Sequence, residues 1–165
     1  MEFDFLSPVD NEILEYINGL SSQHMGSKVA FHTDKDFPDL DKIKIAIIGV
    51  PENRGDKRAY QEVNLSFIRK EFYSLFPGNW QSSIADLGDI LPGNSLEDTF
   101  FALQKVVARL LKKGIVPIVI GGSQDLIYPL YRAYGSLEQM VNLVSIDSKF
   151  DLGQQESTIA SDSYM

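Results

Sequence analysis

Two short apolar runs, residues 115–120 (IVPIVI) and 141–146 (VNLVSI), each break off into a polar cluster, and a helical stretch separates them. Runs this short, rich in Val and Ile and without polar alternation, suit strands buried on both faces. Strands joined through a helix pair in parallel, with a right-handed crossover. The same grammar recurs upstream. Residues 43–50 (IKIAIIGV) form a first strand stopped by Pro51, and residues 84–87 form a second, shorter one.

The helices between them are legible from spacing. Leu65, Ile68, Phe72 and Leu75 predict a helix over about 59–76 that buries this stripe, broken by Pro77-Gly78-Asn79. Trp80, next in the chain, is read as a packing anchor. Ser95 is a good N-cap for a helix over 96–112, with Glu97 and Asp98 in its first turn and Gly114 just past its end. That helix carries Leu96, Phe100, Leu103, Val107, Leu110 and Leu111 on one face. A further helix runs from Asp125 to about Tyr134. Strands alternating with helices give an α/β fold, a three-layer α/β/α arrangement around a mainly parallel sheet. Residues 1–42 read as an irregular arm with one short helix capped by Asp10. Residues 43–165 read as the α/β unit.

Composition narrows the function classes. Across 165 residues the net charge is −8, which opposes nucleic acid and anionic membrane as partners. There is no cysteine, so thiolate metal sites and disulfides are excluded. No apolar run approaches the roughly 18 residues of a membrane span. The acidic start MEFDFLSPVD is not a signal peptide, and the expected location is the cytoplasm. His24 and His32 sit in polar sequence and read as loop histidines rather than a metal pair.

In a parallel sheet, ligands bind at the carboxyl ends of strands, where both polar clusters fall. Gly121-Gly122 before a helix aims backbone N–H groups above the strand, which suits either a tight packing turn or an anion. It lacks the residues of a P-loop or dinucleotide fingerprint. The charged loop after Pro51, with Glu52, Arg54, Asp56, Lys57 and Arg58, is either a solvated loop or part of a binding surface. Asp147, Lys149 and Asp151 alternate, so period two places them on one strand face. Two carboxylates there can contribute to a divalent cation site. The lysine between them can instead neutralise the pair as an ion-paired strand end, and it repels a second cation.

At these clusters the sequence resembles the arginase/agmatinase/formimidoylglutamase (ureohydrolase) family. Gly121-Gly122-Ser123-Gln124 matches the position of the family's Gly-Gly-Asp-His, and Asp147-Ser148-Lys149-Phe150-Asp151 that of its Asp-Ala-His-x-Asp. Ile48-Gly49-Val50-Pro51 with Gly55, Phe67-Ile68-Arg69 and Asp86-Leu87-Gly88-Asp89 match further segments in order. The resemblance implies an arginase-like fold, incomplete at the C-terminus. It also implies hydrolysis of C–N bonds in linear amidines, a small guanidino or formimino substrate, and manganese as the metal. Metal positions carried over by type are Asp147 and Asp151. Ser123, Gln124 and Lys149 stand where the family has an aspartate and two histidines. Gln offers only a carbonyl oxygen and protonated Lys no lone pair. No Asp-x-Asp strand follows residue 153, so the chain reads as the first part of a longer protein. Two main readings remain, a formimidoylglutamase-like hydrolase with an altered site and a pseudoenzyme in which Lys149 supplies the missing charge, and a third is an unrelated doubly wound domain that binds an anion at residues 122–125. An open sheet edge predicts a homo-oligomer.

Overall fold

The computed structural model describes residues 3–55, 64–138 and 140–146. Its elements are β1 (Leu6–Ser7), α1 (Asn11–Asn18), β2 (Val29–Phe31), β3 (Ile45–Gly49), α2 (Leu65–Ser74), β4 (Ile84–Ile90), α3 (Leu96–Lys112), β5 (Val116–Ile120) and α4 (Ile127–Gly135). The five strands form one sheet in which β5 pairs with β3 and β3 with β4. Both of these pairings are parallel. On its other side β4 pairs in parallel with β2 along its first half and antiparallel with β1 at its end. The expected α/β fold with a mainly parallel sheet is present.

Register decides the layers. Ile45 lies beside Ile84 and Val116, and Ile47 beside Asp86 and Ile118, so these six side chains share one face. Ile47 and Ile84 pack there with Ile13, Ile17 and Tyr73 from α1 and α2. Ala46, Ile48, Ala85 and Leu87 face the other way, into a core built with Phe100, Leu103, Val106, Val107 and Leu110 of α3 and Ala133 of α4. The long helix occupies the span its spacing predicts. Ser95 and Asp98 form a reciprocal capping box at its start.

Five expectations change. The arm over residues 1–42 is not irregular throughout, because β1 and β2 complete the sheet alongside β4. In α2 the buried residues are Leu65, Arg69 and Tyr73, while Ile68 and Leu75 are exposed. A buried carboxylate, Asp86, draws Arg69 and Tyr73 inward, and an apolar stripe count cannot register that attraction. Helix α2 begins at Leu65, where Asn64 caps it through the Phe67 N–H at 2.9 Å. Residues 141–146 form no strand, and Leu143, Val144 and Ile146 are exposed. An apolar run becomes a strand only where an edge and a covering layer receive it. Val116 and Ile118 of β5 are exposed as well. Trp80 is half exposed rather than an anchor.

Candidate functional site at the carboxyl ends of β3, β4 and β5

Three loops leave the carboxyl ends of neighbouring parallel strands: residues 50–55 after β3, 91–95 after β4 and 121–126 after β5. They meet at Glu52. Its side chain is only 2% exposed, although it follows a strand into a charged loop. Arg54 grips it as a fork, with Nε 2.9 Å from Oε1 and a terminal nitrogen 2.5 Å from Oε2. The Arg54 backbone N–H also donates to Oε1 at 2.9 Å. Burial pushes the Glu52 carboxyl up, but the hydrogen bonds from Arg54 outweigh it and hold the group below the usual carboxylate range. The solvated-loop reading therefore fails for Glu52.

The Arg54 guanidinium extends to the α3 side. It donates to the carbonyls of Asn94 and Gly93, both at 3.1 Å, and of Ser95 at 3.3 Å, and to Thr99 Oγ1 at 3.2 Å. Thr99 is fully buried and accepts from the Gly93 N–H at 2.9 Å. Toward β5, the Glu52 carbonyl accepts from the Ser123 N–H at 2.9 Å. Gly121 and Gly122 turn the chain there with positive φ of 94° and 79°. A side chain on Gly122 would also collide with Leu126 and the Glu52 carbonyl. Ser123 Oγ donates to Asp125 Oδ1. Gly55 closes the set, because a Cβ there would overlap the Asp125 carboxylate.

The double-glycine turn is thus a packing turn. Its Ser123 N–H is already bonded, and the buried Asp125 carboxylate beside it opposes an anion. Gln124 is exposed at the start of a single 3-10 turn, Gln124–Leu126. The remaining expected metal positions, Asp147 and Asp151, and the substituted Lys149 lie outside the described residues, as does the expected Lys149 ion pair. Among the described residues no three His, Cys, Asp or Glu side chains converge as cation ligands. Gln124 contributes at most a neutral amide oxygen, and Asp125 Oδ1 accepts the serine hydroxyl.

A second charged group joins α2 to β4. Arg69, 1% exposed, donates to Asp86 from Nε at 2.7 Å and from a terminal nitrogen at 3.1 Å. It also donates to the Gly88 carbonyl at 3.1 Å and pairs with Asp89 at 2.7 Å. Tyr73 donates its hydroxyl to Asp86. Burial, and then the Asp86 charge, push the Tyr73 hydroxyl well above its usual range. Sequence reading missed this group. Its only sequence signal is a polar pair, Arg69 and Tyr73, four apart on a helix opposite an Asp inside an apolar strand. The two histidines stay apart: His24 lies against Phe76 at 4.6 Å and His32 hydrogen-bonds the Leu87 carbonyl at 2.9 Å.

The arginase family model matches residues 43–163, most of the chain. This chain belongs to the arginase family. It is 39% identical over 75 residues to a formimidoylglutamase of Geobacillus thermodenitrificans, covering 43% of this chain and 23% of that protein. It is 27% identical over 124 residues to a guanidinobutyrase of Pseudomonas aeruginosa, covering 69% of this chain and 39% of that one. The fold matches a Trypanosoma cruzi formiminoglutamase variant solved with manganese, with a TM-score of 0.59 at 20% identity, over 92% of this chain and 49% of that one. The chain thus spans well under half the length of these two sequence relatives. No helix among the described residues is long and apolar enough to cross a membrane.

Proposed function

We propose that this arginase-family protein is formimidoylglutamase-like and receives a small guanidino or formimino compound at the carboxyl ends of β3, β4 and β5 without a competent binuclear manganese centre. The observation that carries the reading is the donor set at the first motif: exposed Gln124 in the ligand position, beside an Asp125 carboxylate that accepts a hydrogen bond from Ser123. In the second motif, the alternation of Asp147, Lys149 and Asp151 supports a lysine ammonium supplying the positive charge. Without two metals sharing a hydroxide, the usual route to a strong nucleophile at neutral pH is missing. The protein then acts as a binding pseudoenzyme of the ureohydrolase family.

The same reading places it in the cytoplasm as a homo-oligomer that uses the uncovered β5 edge, with residues 43–165 as the arginase-like unit. It is supported there by the exposure of Val116 and Ile118. Calorimetric titration of the full chain with manganese, followed by formimidoylglutamate and guanidinobutyrate, tests the proposal. The expected result is no stoichiometric micromolar manganese binding, together with metal-independent ligand binding. Tight manganese binding with amidine hydrolysis establishes the alternative, a hydrolase with an altered site.

A further inference from the structure

The charged loop after β3 has a role that the metal motifs do not account for. Glu52 is linked to both neighbouring loops, through Arg54 to the loop before α3 and by its own carbonyl to the loop after β5. Its carboxylate holds Arg54, which binds three successive carbonyls, Gly93, Asn94 and Ser95, before α3. Its carbonyl holds the Ser123 N–H. We propose that Glu52 and Arg54 are positioning residues whose ion pair fixes the three strand-end loops in register and thereby sets the position of Ser123 and Gln124 at the carboxyl end of β5.

Several features make the pair a latch rather than a decorative surface contact. A carboxylate that is 2% exposed needs its partner, so the pair opens as a unit or not at all. The fork geometry is specific to Arg, which reaches a carboxylate and carbonyls on opposite sides of one plane. Gly55 follows directly and abuts Asp125, so any shift of Arg54 is passed to the β5 turn. Among the described residues, the charged groups around the pair are Glu97 and Asp98 at the start of α3 and Asp125 after β5. The first two reinforce the Arg54 charge. Arg54 keeps the Glu52 carboxyl ionised below the ordinary carboxylate range, so the latch stays closed at neutral pH and releases only in acid.

Amide hydrogen exchange on the full chain tests this without metal or substrate, so its outcome is independent of the proposed function. The reporters are the Arg54, Gly93 and Ser123 amides. The controls are the Lys44 and Ile45 amides, which bond to Ser83 at the opposite end of the sheet. In Glu52→Gln, the reporters are expected to exchange about tenfold faster while the controls hold. Reporter protection in the wild type should fall on acidification, after correction for intrinsic rates, and be flat in Glu52→Gln. Arg54→Gln cuts the same pair from its half-exposed side and gives the same pattern, and it reads the effect should Glu52→Gln not fold. Equal acceleration of reporters and controls in the variants overturns the proposal, since that marks a general loss of stability. Unchanged protection at Ser123 overturns it as well.

Discussion

Two buried carboxylates in this protein, Asp86 and Glu52, are each answered by an arginine, and the two pairs are built for different tasks. Asp86 is fully buried mid-strand, and Arg69, which reaches it from a helix on the sheet face, is as buried as its partner. Glu52 is also buried, but Arg54 is 42% exposed in its side chain and lies in the same loop two residues away. The first pair joins distant elements and pins α2 to β4. Asp86 also accepts the Tyr73 hydroxyl and Arg69 also reaches Asp89, and the pair itself has little access to water. The second joins loops, with one ion at the rim. A buried charge pair seldom adds net stability over an apolar replacement, yet breaking one side of it is expensive. Depth therefore sets the penalty, and the elements joined decide whether fold or site geometry suffers.

The sharpest way to break this comparison is Arg69→Ala. It leaves Asp86 buried without its cation and is expected to cost about 3–5 kcal/mol, enough to unfold a marginal domain, as read by urea denaturation. Tyr73→Phe removes one donor to Asp86 and should cost about 1–3 kcal/mol. It also carries a pH signature. The raised Tyr73 pKa favours the neutral phenol in the fold, so this stability is full below the unfolded tyrosine value of about 10 and is lost as pH rises above it. Alkaline melts should therefore show a loss that Tyr73→Phe abolishes.

Smaller effects belong to the loop pair. Thr99→Val removes the buried acceptor shared by Arg54 and Gly93 and should cost about 1–2 kcal/mol in thermal melts. Glu52, whose pKa is depressed, contributes stability above the unfolded carboxylate value that is lost as pH falls through its folded one. Acid should thus loosen the loops, an effect that pH-dependent exchange at the Ser123 amide resolves. As the baseline, Lys113→Ala breaks a surface pair with Asp41 and should change stability by no more than about 0.5 kcal/mol. If Lys113→Ala rivals Thr99→Val, depth is not what separates the two classes.

The sequence by itself determined the order of strands and helices from β3 to α4, the limits of α3 and its cap, the α/β class and the family. These follow from periodicity, capping chemistry and motif order, which are local in the chain. It also located the carboxyl-end loops and exposed the mismatch at Ser123 and Gln124. Only the tertiary structure decided that Arg69 and Tyr73 face inward while Ile68 and Leu75 do not, because the reason is Asp86, more than ten positions away. Likewise, it turned a charged loop into a buried Glu52 linked to Gly93, Ser95 and Ser123, and left residues 141–146 unpaired. Partners distant in sequence settle such matters, since the energy of a buried charge or a strand edge depends on what folding brings beside it.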